Sequence, residues 1–316
     1  MLQCPALSLG QQYEFQYEGR SYVDLATLGG TLGMKAYWLK DQKTFRLRGK
    51  WTNIDFKEGE WVLYLDRVPV YLGFPTVESD GRLYLAKADK QHVIQPILTP
   101  QIFHDKPEFR RIVIDAGHGG RDSGAMNDDY GLYEKTLALD VARRLKSILE
   151  RAGFEVVMTR NSDVYIPLEQ RPQIARQENG DLFVSIHFNA AKRTAAEGFE
   201  TFILTPQHQA SSNLSNPGRS DHLRYLGNAF DPWNALAGYH IQRALVKRAG
   251  GPDRGLKRAR FLVLKHLNCP GVLVELGFIS NPSTARKTRS AAFRQTLAQS
   301  LFDGIVTYGK RLQNIH

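Results

Sequence analysis

The chain has 316 residues, 42% of them hydrophobic and 23% charged, which suits about two globular domains and excludes disorder over most of its length. No apolar run approaches the ~20 residues of a membrane span, and the start MLQCPALSLG shows neither the basic cluster nor the full apolar core of an export signal. Its 42 Lys+Arg against 32 Asp+Glu leave a net charge of +10, the signature of an anionic partner such as nucleic acid, anionic lipid or an acidic wall polymer, or simply of a well-solvated surface.

The first hundred residues are close to neutral, with 12 basic and 11 acidic side chains. Strand-like patterns at Lys43 to Arg48, Glu60 to Leu65 and Arg82 to Leu85, with a helical stretch from Val23 to Leu32, predict a small β-rich α+β domain over residues 1–100. Gly19-Arg20-Ser21-Tyr22-Val23, followed by Ala26, recurs as Gly81-Arg82-Leu83-Tyr84-Leu85, followed by Ala88. This is a candidate internal repeat. The order of a Gly-Arg-x-Tyr-aliphatic word, a short helix, "GMKAYW" and a following strand resembles the copper amine oxidase N-terminal-like domain, a non-catalytic module; the resemblance implies a targeting or binding role and no copper.

Residues 101–110 carry Pro107 and no apolar period, as a linker does. From 111 to 316 short apolar runs alternate with helical patterns. Strands are expected at Arg111 to Asp115, Glu155 to Thr159, Leu182 to His187, Phe199 to Leu204, Phe261 to Leu264 and Val272 to Leu276. Leu137, Val141, Leu145, Ile148 and Leu149 mark one amphipathic helix; Phe293, Leu297, Leu301, Ile305 and Tyr308 mark another. The predicted class is α/β, with a largely parallel or mixed central sheet and helices on both faces. A polar insertion at about 205–234 interrupts the alternation, and its Asn213 to Gly227 stretch is a candidate partial lid over the cleft.

Ligands of open α/β sheets sit outside the carboxyl ends of the strands. RIVIDAGHGG delivers His118 there, LFVSIHFNA delivers His187, and GVLVELGFISN carries Glu275, while GLYEKTLALD puts Glu134 at the start of the first helix. Cys4 and Cys269 are the only cysteines, so a four-thiolate site is excluded and a metal must rest on His, Asp or Glu. Two imidazoles and one carboxylate match the donor set of catalytic zinc sites with an open fourth position, which leaves Glu275 as a free base. His118 alone also fits a glycine-rich turn cradling phosphate.

The words IDAGHGG, YEKTLALDVA, SIHFNA and VELGFISN, in that order within one domain, resemble the zinc-dependent N-acetylmuramoyl-L-alanine amidases (amidase type 3), and the likeness runs through DRGLKRARFLVLK to about residue 310. The resemblance implies one zinc per chain on His118, Glu134 and His187, catalysis by Glu275, and cleavage of the amide between N-acetylmuramic acid and L-alanine of peptidoglycan. It implies a cell-envelope location, with anionic wall polymers or an envelope regulatory protein as further partners and no nucleic acid. A zinc peptidase acting on peptidoglycan peptides and an inactive envelope-binding protein are the alternatives.

Around these residues, Asp115 is expected to orient the loop or a ligand's second ring nitrogen, and Asn189 to meet substrate or cap a turn. Arg254, Lys257, Arg258 and Arg260 read first as a solvated basic face, and otherwise as a grip on carboxylates of the stem peptide or an anionic polymer. No glutamate lies between Glu200 and Glu275, so a glutamate plug on the metal is not expected in the insertion; Asp221, His222 and Asp231 are the residues left for such a role. His92, His104, His240 and His266 read as ordinary polar positions, and Cys269 as buried.

Overall fold

A computed structural model describes residues 14–212, 214 and 217–315. Cys4 and Asn213 lie outside the described residues. The chain divides into two compact units, Met1–Ile94 and Gln95–His316.

The first unit holds β1 (Glu14–Tyr17), β2 (Arg20–Asp24), β3 (Lys35–Trp38), β4 (Thr44–Arg48), β5 (Asn53–Lys57), β6 (Val62–Leu65), β7 (Val68–Tyr71), β8 (Val77–Ser79) and β9 (Arg82–Ala86). β3 to β7 form an antiparallel meander, and β1, β2, β9 and β8 form a second antiparallel sheet in that order. The sequence repeat is a structural one. Glu18-Gly19 and Asp80-Gly81 all have positive φ, as two-residue hairpin turns require, and each hairpin leads into a helix. β2 and β9 pair antiparallel with Val23 opposite Leu85, its own equivalent in the repeat, so a local two-fold axis runs between them. Helix Leu25–Thr31 starts at Asp24, whose carboxylate accepts from the Thr27 amide at 3.0 Å.

Regular structure in the second unit begins earlier than the expected boundary. Gln95–Leu98 is helical and packs on helix Asp231–Ala249. The stretch read as a linker is fastened to the same unit: Phe103 meets Trp233 edge-on, Phe109 packs edge-on against Phe154 and Tyr308 with centroids 5.4 and 5.3 Å away, and Lys106 Nζ donates to the Ile315 carbonyl. Three aromatic contacts outweigh Pro107 and the missing apolar period that suggested a free segment.

The strands here are β10 (Arg111–Ala116), β11 (Met126–Asn127), β12 (Leu132–Tyr133), β13 (Glu155–Met158), β14 (Leu182–Asn189), β15 (Phe199–Leu204), β16 (Asp253–Ala259) and β17 (Gly271–Phe278). Their order in the sheet is β13-β10-β14-β17-β15-β16. All neighbours are parallel except β15 and β17, so the sheet is mixed. Helices Glu134–Arg151, Asp231–Ala249 and Ala291–Gln313 pack together, the first two on the sheet. On the opposite face Val113, Phe183, Phe202 and Leu273 pack with Ala175 and the Leu262–Lys265 turn. Leu137, Val141, Leu145, Ile148, Leu297, Leu301, Ile305 and Tyr308 are buried as the 3.6-residue period requires.

Two expectations are corrected. Phe261 to Leu264 is not a strand: Phe261 is the N-cap of a short helix, Leu262–Lys265, and four apolar residues in a row do not separate strand from buried helix. The strand is β16, within the basic cluster. Its side chains are not a solvated face, because Lys257 and Arg258 are only 6% and 2% exposed. Lys257 Nζ and Arg254 Nε both bond the Glu200 carboxylate, Arg258 bonds Gln209, and Arg260 pairs with Asp221. Partnered burial of this kind removes the cost that would keep such groups in water.

The same residues tie down the insertion. Ser212 and Arg258 exchange two bonds, with Ser212 N donating to the Arg258 carbonyl and Arg258 N to Ser212 Oγ. Arg260 Nη2 donates to the carbonyls of Pro206, Gln209 and Asp221. Asn228 bonds the Thr205 carbonyl and Asp231. Among the described residues no helix is long and apolar enough to cross a membrane.

Candidate metal centre

β10, β14 and β17 run parallel side by side, so their carboxyl ends share one edge. His118 follows β10 at φ +60, a left-handed conformation that costs a non-glycine residue about 1–2 kcal/mol. Two buried arginines hold this turn. Arg171 donates to Asp115 Oδ1 at 2.8 Å, to the Ala116 carbonyl at 2.9 Å and to the His118 carbonyl at 2.9 Å. Arg160 donates to the carbonyls of Ala116, Gly117 and Lys135.

Glu134 heads its helix directly after β12, where hairpin β11–β12 presents it to the same edge. Its Oε2 accepts from the Ala125 amide at 2.8 Å and its Oε1 from the Phe188 amide at 3.0 Å. Onto Oε1 converge His118 Nε2 at 3.1 Å and His187 Nδ1 at 2.9 Å. Ligand atoms of these three residues all lie within 4.8 Å of one another, and they can hold a metal ion. Burial opposes ionisation of Glu134, but the two imidazoles overcome it and hold its carboxyl far below the usual range. Burial likewise disfavours a charged His118, and Glu134 and Asp122 reverse that, raising it. A carboxylate kept ionised between two imidazoles is the donor chemistry a divalent cation of borderline softness selects. The imidazoles keep 22% and 16% of their side chains exposed, Glu134 only 6%, so the centre opens on the imidazole side.

Glycine shapes the wall. A Cβ on Gly124, whose φ is +65, would sit 2.6 Å from both Glu134 Oε2 and His118 Cδ2. One on Gly117 would fall 2.4 Å from the His187 ring.

Glu275 is the register partner of His187 on one side and of Glu200 on the other. Its Oε2 is buried without a hydrogen-bond partner among the described residues. Burial, followed by the charges of Glu134 and Glu200, pushes its carboxyl well above the ordinary value. An orphaned, buried carboxyl group beside a cluster able to hold a metal ion is unusual for a purely structural residue.

The surrounding expectations resolve differently. Asp115 orients the loop, accepting from Arg171, Thr159 and Ser185; it is Asp122 that takes the second nitrogen of His118, with Oδ2 2.9 Å from Nδ1. That aspartate, Arg160 and Arg171 escaped the sequence reading, and the four-residue step from His118 to Asp122 was the available signal. Asn189 Oδ1 accepts from the next amide, Ala190, capping the strand end. Arg254, Lys257 and Arg260 face carboxylates of the chain itself. Asp221, His222 and Asp231 are not in the metal-ligating group; they bond Arg260, His208 and Asn228. His240 is buried in its helix and pushed down to about 3 by that burial, and Cys269 is buried and pushed up to about 12.

Asp122→Asn preserves shape but removes the charge that fixes the His118 tautomer. Affinity for a divalent metal ion is expected to fall roughly 10–100-fold in competition with a chromophoric chelator, with unchanged far-ultraviolet circular dichroism.

A profile of the family described as N-acetylmuramoyl-L-alanine amidase matches residues 112–307. N-acetylmuramoyl-L-alanine amidase AmiC of Escherichia coli O6:H1 is 35% identical over 218 residues, covering 62% of this chain and 52% of that protein; the chain thus spans about half the length of this relative. The crystal structure of an N-acetylmuramoyl-L-alanine amidase from Clostridium difficile 630 matches with a TM-score of 0.54 at 29% identity, over 64% of this chain and 97% of that one. The CwlD amidase of Clostridioides difficile, solved in complex with the GerS lipoprotein, matches with a TM-score of 0.54 at 25% identity, over 64% and 99%. With more than half of its residues matched, and with a His-Glu-His cluster at the edge where three parallel strands end, the chain belongs to the N-acetylmuramoyl-L-alanine amidase family.

Proposed function

We propose that the second unit hydrolyses the amide between N-acetylmuramic acid and the L-alanine of the peptidoglycan stem, using one zinc ion per chain on His118, Glu134 and His187. The observation that carries this reading is the convergence of His118 Nε2 and His187 Nδ1 on one oxygen of Glu134, at 3.1 and 2.9 Å, beside the unpartnered Glu275. When bound, zinc supplies Lewis acidity toward water and toward the amide carbonyl. Glu275 takes the proton of the attacking water and returns it to the departing alanine nitrogen. Asp122 holds the His118 ring, and Arg160 and Arg171 hold the loop that carries it.

This substrate places the protein in the cell envelope. The excess positive charge lies in residues 101–316, with 30 basic and 21 acidic side chains, and it favours approach to an anionic wall. The first unit serves as the targeting or binding module. A regulatory protein of the envelope is the partner suggested by the relative solved with a lipoprotein.

Mass spectrometry of digested peptidoglycan tests the activity. Free stem peptides beginning with the amino group of L-alanine are expected. Peptides cut internally, with the lactyl amide intact, would instead identify a peptidase, and an unchanged sacculus would identify a binding protein.

A further inference from the structure

We infer that His208 and His222, in the insertion and outside the centre described above, form a second metal site: a two-imidazole chelate for a borderline transition cation such as zinc or nickel. Their Nδ1 atoms face each other at 3.2 Å. A cation 2.0–2.1 Å from each nitrogen would subtend an angle of about 100°, close to the tetrahedral value. Both residues are exposed, so the outer coordination positions open to water.

The pair is held in place before any ion arrives. His208 N donates to the Asp221 carbonyl at 2.8 Å, and Gln207 Nε2 donates to the His222 carbonyl at 2.8 Å. Arg260 gathers the carbonyls of Pro206, Gln209 and Asp221, fixing the backbone on either side of the pair. Holding both donors on a fixed backbone removes much of the ordering cost of chelation. His208 itself sits at φ +66, a left-handed conformation that His, Asn and Asp adopt more readily than other non-glycine residues. The Asp221 carboxylate is taken by Arg260 and the Gly218 amide, so among the described residues the site has two donors and is weaker than the three-donor centre. A bound ion would fasten the chain around residue 208 to the chain around residue 222, closing the base of the insertion.

Zinc chloride titrated calorimetrically into the His118→Ala/His187→Ala variant, which keeps a single donor of the first centre, is expected to show one bound equivalent. Adding His208→Asn or His222→Asn should weaken that equivalent by more than the roughly tenfold expected of an outer-partner change. Asparagine is chosen because it tolerates positive φ, so loss of binding does not report a broken turn. Independently, the wild-type chain should bind two equivalents and His208→Asn one, and zinc should slow amide exchange at residues 207–212 and 219–223 only while both imidazoles are present. Undiminished binding when His208→Asn and His222→Asn are both added to that variant, or no uptake by it with the pair intact, would overturn the assignment and leave the two rings joined by an ordinary hydrogen bond.

Discussion

Glu275→Gln is expected to keep zinc at wild-type stoichiometry and to lose turnover by roughly 10²–10⁴-fold, the usual contribution of a positioned proton-transfer group. Glutamine is nearly isosteric, so the packing of β17 between β14 and β15 is preserved, and the change touches none of the three metal-ligating residues. Because the replaced carboxyl is pushed up by burial and by the charges of Glu134 and Glu200, removing it relieves a destabilising arrangement. Thermal stability should therefore hold or rise slightly, while KM changes little because the lost interaction belongs to the transition state. Metal analysis, melting and steady-state kinetics on purified peptidoglycan read the three effects separately. Near-normal kcat with full zinc would remove Glu275 from the chemistry.

The grouping of His118, Glu134 and His187 was more legible than the framework around it, for a physical reason. His118, Glu134 and His187 each stand at the end or start of an element whose apolar period is plain, so strand-end logic alone brings them to one edge. The N-terminal repeat was legible because both copies need the same turn chemistry at Glu18-Gly19 and Asp80-Gly81. β16 was hidden because its burial is achieved by ion pairing: Lys257 and Arg254 are neutralised by Glu200, more than fifty residues away in sequence, and no local pattern reports a distant partner. Arg171 eluded the reading for the same reason, its bonds reaching back to Asp115 and His118 from another helix. Asp122 differs. It lies four residues from His118, yet its role depends on the left-handed turn at His118, which the sequence marks only by the glycines nearby. The antiparallel insertion of β15 beside β17 leaves no trace in a run of buried residues either, since strand direction does not alter the burial of a two-sided strand.

His118→Ala is expected to have the opposite signature to Glu275→Gln, losing metal and hydrolysis together. On the proposed reading its ring is one of three ligands, and deleting a ligand must cost more than the roughly 10–100-fold that follows from removing an outer partner such as Asp122. The remaining pair, Glu134 and His187, keeps its 2.9 Å contact but cannot close a three-donor site. Linkage gives a second readout. A metal that binds only the folded chain at 1,000 times its dissociation constant stabilises it by about 4.1 kcal/mol, worth a shift of roughly 8–16 °C for a unit of 150–250 residues. Chelation should therefore lower the wild-type melting temperature by that order, and most of that drop should be missing in His118→Ala, where only two-donor pairs remain to respond. Metal dependence that survives in the variant at full size would show that His118 is not a ligand, and the centre would then have to be rebuilt around Glu134 and His187 with a different third donor.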